Sequence, residues 1–205
     1  MRGRSHLLVW IIFGIPFTLG IAIVGYWYVT NRMEKKVLLP TYGSVPVFRL
    51  TSDEGVPVAR NVFLGKVTIA DFIFTQCAGA CPLMSSKMSE LQQAFLGDPR
   101  IRFVSFSVDP ENDTPEVLRQ YAKQYRAVRG KWLFLTGDHA VIYGLTREGF
   151  HLGLDVEGDS AIIHSQKFVL IDHEAAIRGY YDMDDSDAVK TLVHDARILS
   201  SRVEQ

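Results

Sequence analysis

What this sequence lacks narrows its class before any motif is considered. No segment repeats and no tract is dominated by one or two residue types; with 47% apolar and 22% charged residues the chain is neither disordered nor fibrous. Its 205 residues suit one compact domain with a tail better than two domains. A basic stripe is also missing. Residues 1–36 hold Arg2, Arg4, Arg32, Lys35 and Lys36 against Glu34 alone, and the rest holds 17 basic and 22 acidic residues, a net −5. Such a domain is ill suited to gripping phosphate backbones, so nucleic acid is not an expected partner. Cysteine is scarcest of the chemically active residues, with only Cys77 and Cys81 present.

Charge is absent from one long segment. From Leu7 to Thr30 there is no Asp, Glu, Lys, Arg or His over 24 residues, and a helix of that length spans about 36 Å, enough to cross a bilayer with some tilt. Trp10 stands near one end and Tyr26, Trp27 and Tyr28 near the other, where amphipathic rings settle among headgroups. Pro16 is tolerable in such a helix. A cleaved signal peptide would have a shorter apolar region, of about 7–15 residues, ending in an Ala-x-Ala-like site, and none precedes Tyr26. The expectation is therefore one N-terminal transmembrane helix, with residues 1–36 as anchor and flanks and residues 37–205 as the working domain. Basic residues flank both ends of the span, so charge does not settle its orientation. Six residues before the span are too few for a mitochondrial presequence, which points to a bacterial plasma membrane.

Beyond a tether over residues 31–44, the alternation from Val45 to Leu50 reads as a weak strand that Pro46 would confine to a sheet edge, followed by a turn at Asp53-Glu54-Gly55. Val67 to Thr75 (VTIADFIFT) reads as a buried strand. Pro82 then opens a helix on which Met84, Met88, Leu91 and Phe95 share one face, and Gly97-Asp98-Pro99 ends the run. Ile101 to Val108 is a second strand, and Thr114-Pro115 caps and opens a helix to about Ala127. A third strand follows at Trp132 to Leu135, then a helix from Asp138 to Arg147. A hairpin pairs Phe168–Ile171 with Ile177–Tyr181, and a last helix covers Ser186 to about Ser200. A βαβ core finished by a hairpin and a helix is the pattern of a thioredoxin-like α/β sandwich. Fold alone names no activity.

Chemistry concentrates in Thr75-Gln76-Cys77-Ala78-Gly79-Ala80-Cys81-Pro82, between a strand and a helix start. Unpaired N–H groups and the helix dipole favour thiolates there, so the pair suits either thiol redox work or metal binding. The spacing does not separate the two, because a flexible loop can close the sulfurs on each other or on an ion. A further ligand would break the tie. Among the six histidines, His164 ends an apolar run just before the hairpin, and in a thioredoxin-like sandwich that segment passes close to the cysteine loop. His6, His139, His151, His173 and His194 occupy weaker positions. Asp109, at a strand end before Pro110, is either a group supporting the site or a turn residue. Met84 and Met88 start near the loop but share a face with Leu91 and Phe95, which favours core packing.

The runs IFTQCAGACP, FVSFSVDPENDTPEVL and HSQKFVLID together resemble the SCO/SenC family of membrane-anchored, thioredoxin-like copper proteins that assist cytochrome c oxidase assembly. The resemblance covers most of residues 40–200 and includes the anchor. It implies one copper ion held by Cys77, Cys81 and His164, with Cys77 and Cys81 also able to form a redox disulfide. It further implies an oxidase subunit with a copper centre as recipient, a protein that reduces the thiols, and a domain facing away from the cytoplasm. This chain has Ala78-Gly79-Ala80 where the family often places Pro and an acid, and Ile163 where an Asp commonly precedes the histidine. Both departures bear on partner recognition rather than on the three donors. Two thiolates and an imidazole form a soft donor set suited to copper, whereas structural zinc normally takes four ligands. The expectation is a metallochaperone rather than a turnover enzyme. A membrane-anchored thiol-disulfide oxidoreductase, which needs the cysteines but not His164, is the first alternative. A thiol peroxidase ranks lower because Thr75 stands two rather than three residues before Cys77, and a copper or redox sensor is a further reading.

Overall fold

The computed structural model describes residues 19–24, 39–152 and 166–203. The chain divides into two compact units, residues 1–38 and 39–205. Of the first, residues 19–24 are helical and exposed. Among the described residues no helix is long and apolar enough to cross a membrane; most of the expected span from Leu7 to Thr30 lies outside them.

The second unit starts with three short strands, β1 (Gly43–Ser44), β2 (Arg49–Ser52) and β3 (Pro57–Ala59), and a single 3-10 turn at Arg60–Phe63. Then come β4 (Val67–Ile73), α1 (Ala80–Ala94), β5 (Ile101–Ser107), α2 (Pro115–Gln124), β6 (Trp132–Thr136) and α3 (His139–Gly144). A π-helical turn at Leu145–Gly149 continues α3. The hairpin β7 (Lys167–Ile171) and β8 (Ala176–Asp182) and the helix α4 (Ser186–Ser200) complete the unit.

Eight strands form one sheet in the order β1-β8-β7-β4-β5-β6-β2-β3. β4, β5 and β6 are mutually parallel, as their helical crossovers require, while β7 joins β4 antiparallel. All seven residues of β4 are buried, which fits a central strand covered on both faces. On one face Val67, Ile69 and Ile73 meet Met84, Met88 and Leu91 of α1, Leu118 and Tyr121 of α2 and Leu192 and Ala196 of α4. On the other, Ala70 and Phe72 join Phe48, Phe63, Phe106, Ile142 and Phe150. The ring centroids of Phe72 lie 5.0 Å from Phe106 and 5.1 Å from Phe150, within the range of favourable aromatic contacts.

The thioredoxin-like α/β arrangement expected from the sequence is therefore present. The weak strand expected over Val45 to Leu50 is displaced: pairing starts only at Arg49, where β2 bonds to β3 and β6, and Pro46 stands outside every strand. The helix after the cysteines starts at Ala80, two residues before Pro82. α2 ends at Gln124, short of Ala127, with Arg126 in the left-handed region at φ 57°.

Candidate metal centre

β4 ends at Ile73, and the chain leaves the sheet toward α1 through Phe74 to Gly79. The first turn of a helix presents N–H groups without intrahelical acceptors, and no side chain of Gly79 exists to cap them. The Cys77 sulfur takes that place. Gly79 N donates to Cys77 Sγ at 3.4 Å, and the N–H groups of Ala80 and Cys81 also point to it. This cap lets the helix begin before Pro82, which still lies in the first turn, where a missing N–H costs nothing.

Cys77 and Cys81 are both free thiols. The Cys81 side chain hydrogen-bonds to that of Cys77, so the two sulfurs are neighbours. Their environments differ sharply. Burial raises the Cys77 thiol somewhat, but the donors from Cys81, Gly79 and Ala80 outweigh it and hold it below the ordinary thiol range. Cys81 is 5% exposed and packs in the core with Ile73 and Met84. Burial, reinforced by Cys77, pushes its thiol up to about 12. The outer sulfur is thus ready to ionise and the inner one is held protonated until something replaces its proton.

His164 lies outside the described residues, so the site is described from its two thiols. Among the described residues no group of three His, Cys, Asp or Glu side chains is placed to hold a metal ion. Asp109 is half-buried, and both of its carboxylate oxygens accept from Asn112 Nδ2, at 3.0 and 2.9 Å. Met84 and Met88 are buried at 1% and 0% exposure in the helix-covered core, as their spacing predicts. A pocket of about 310 Å³ between α2, β6 and the β2–β3 turn, lined by Asp53, Arg119, Lys123, Arg129 and Trp132, shares no residue with the cysteine loop. Among the described residues, Cys77 lies at the surface of the loop and Cys81 beneath it.

Two acids count for more here than their sequence positions imply. Asp113 is fully buried and accepts from Thr75 N at 3.1 Å, from Thr75 Oγ1, and from Ser107 Oγ at 2.6 Å. Asp71 is also fully buried, on the helix-covered face of β4 between Ile69 and Ile73. Among the described residues neither of its oxygens has a hydrogen-bond partner of good geometry, although the Ser105 hydroxyl across the β4–β5 ladder pulls its pKa back in part. Burial wins and raises the Asp71 carboxyl to about 7. Its charge also helps hold the Cys81 thiol protonated. The sequence signal for Asp71 is one acid inside an apolar strand; for Asp113 it is its place in Asp-Pro-x2-Asp-Thr-Pro.

Comparison with known proteins matches residues 40–197 to the SCO1/SenC family. A SCO1/SenC family lipoprotein from Bacillus anthracis superposes with a TM-score of 0.70 at 29% identity, over 77% of this chain and 95% of its own. BsSco, described as a member of the Sco family of cytochrome c oxidase assembly proteins with a disulfide switch, gives 0.68 at 30% identity, over 78% and 95%. Copper-bound ScoI of Arabidopsis thaliana gives 0.64 at 25% identity, over 76% and 99%.

Proposed function

Because this chain belongs to the SCO1/SenC family, we propose that it is a copper metallochaperone that takes one copper ion on Cys77, Cys81 and His164 and assists assembly of the copper centre of a cytochrome c oxidase. The observation that carries this reading is the pair of free, hydrogen-bonded thiols at the start of α1. Two sulfurs make a soft donor pair that suits Cu(I) far better than a hard cation. The ion supplies the replacement for the proton on Cys81, whose burial otherwise opposes its thiolate. His164 is the third donor by resemblance. Asp109 supports the turn beside the site through Asn112.

In this reading residues 1–36 anchor the domain in a bacterial plasma membrane, with residues 37–205 on the extracytoplasmic side. Support comes from the uncharged run Leu7 to Thr30 and from the lipoprotein relative. The recipient is an oxidase subunit with a copper centre, and a thiol reductant protein keeps the cysteines reduced. The copper-bound and oxidase-assembly descriptions of the relatives support the copper cargo and the oxidase recipient.

The test is copper stoichiometry on the reduced protein. About one Cu(I) per chain is expected, with Cys77→Ser and Cys81→Ser each weakening binding more than His164→Ala. Full Cu(I) binding by the double cysteine variant would refute the assignment. The acidity split between the thiols favours one second reading, a thiol-disulfide oxidoreductase in which Cys77 attacks and Cys81 resolves. High reductase activity toward a disulfide substrate, with copper binding indifferent to His164, would decide for it.

A further inference from the structure

The sheet stops supporting the chain just where the first thiol must be placed. The last β4–β5 register pair is Ile73 with Ser107, and Val108 N donates to Ile73 O at 2.9 Å. Between there and α1, Cys77 N donates to Phe74 O at a long 3.3 Å, and the Phe74 backbone N–H bonds the Cys81 sulfur. At Thr75 the hold comes from a side chain far along the sequence. The Thr75 N–H is shared between both Asp113 carboxylate oxygens, at 3.3 and 3.1 Å, and the Thr75 hydroxyl donates to Asp113 Oδ1.

Asp113 is itself fixed from below. Ser107 Oγ donates to Asp113 Oδ2 at 2.6 Å, and Asp113 N donates to Asp109 O at 2.8 Å. The same Ser107 hydroxyl accepts from Asp109 N at 3.1 Å. One buried carboxylate thereby joins the end of β4, the end of β5 and the Asp109 turn. The thiol beyond it is only two residues from Thr75.

We propose that Asp113 is the positioning residue of Cys77: by clamping Thr75 it sets where the outer thiol leaves the sheet and keeps it against Cys81. This deepens the copper reading and rests on it for its effect on metal affinity. Its effect on thiol geometry stands without copper. Groups that orient metal ligands commonly contribute 10–100-fold to affinity.

The experiment uses the full, reduced chain and the variants Asp113→Asn, Asp113→Ala, Thr75→Val, Thr75→Ser and Ser107→Ala. Two quantities are read: Cu(I) affinity by competition with bicinchoninate, and the ratio of iodoacetamide labelling rates at Cys77 and Cys81. Circular dichroism identifies the folded variants. Asp113→Ala and Thr75→Val should weaken Cu(I) binding about tenfold and shift the labelling ratio. Thr75→Ser, which keeps the hydroxyl, should restore both, and Asp113→Asn, which keeps one acceptor oxygen, should fall between. Ser107→Ala removes a bond to the same carboxylate without freeing Thr75, so it should cost stability but leave the ratio nearly unchanged. If Asp113→Ala does not fold, Thr75→Val carries the test. Wild-type affinity and labelling ratio in folded Thr75→Val and Asp113→Asn would overturn the proposal. Should the wild-type protein bind no Cu(I), the copper reading fails, and the labelling ratio alone decides on Asp113.

Discussion

Among single residues, Asp71 makes the clearest physical demand. Its carboxyl is raised by burial from an ordinary 3.8 to about 7. Below pH 4 the group is protonated in both folded and unfolded chains and contributes nothing to the difference. Between about pH 4 and 7 the unfolded chain ionises it while the folded core resists. Stability therefore falls across that window, by on the order of 4 kcal/mol once the charge is fully formed, and no further above it. Asp71→Asn removes this term. Denaturant unfolding of the reduced protein at pH 4.5 and pH 8 should show a stability gain for the variant that is larger at pH 8, and a parallel pH dependence in both proteins would show that Asp71 finds a partner after all. The two cysteines were legible from their place at a helix start, and Met84 and Met88 from their spacing. Asp71 and Asp113 were not, because their weight depends on burial and on which donors the tertiary fold aims at them.

Elements divide by how far away their partners are. β4 and β5 could be read directly, since nearly every residue of both is buried and their sequences are rich in β-branched and aromatic side chains. β1, β2 and β3 could not. They are two, four and three residues long; β1 pairs only with the distant β8, and β2, besides its short hairpin with β3, pairs with the distant β6. Local caps were more faithful. Thr114 was expected to cap α2, and its side chain accepts from Val117 N at 3.4 Å with Pro115 as the first helical residue. Because the cap residue Thr114 directly follows Asp113, a loosened cap acts beside the Thr75 clamp. Thr114→Ala should cost about 1 kcal/mol of stability. Measured by urea unfolding, a loss well beyond 2 kcal/mol would mean that the cap also braces Asp113.

For the whole molecule, the proposed copper site would make affinity for the cargo and redox state the same variable, because both depend on Cys77 and Cys81. A ligand that binds only the folded chain stabilises it by about 2.7 kcal/mol at one hundred times its Kd. For a unit of this size that corresponds to a rise in Tm of roughly 5–10 °C. The reduced protein should show that rise with Cu(I), because both thiols are free and adjacent. Oxidation to a Cys77–Cys81 disulfide uses up both sulfur donors, so the oxidised protein should have its own Tm but no response to copper. Acid should erase the response in the reduced protein, since protons compete for the same sulfurs, and Cys81, raised to about 12, holds its proton hardest. Thermal scans of reduced and oxidised protein, each with and without Cu(I) at pH 5 and pH 7.5, read all of this in one series. A copper-dependent rise in the oxidised protein equal to that in the reduced one would place the ion elsewhere on the molecule and leave the cysteine pair to thiol chemistry alone.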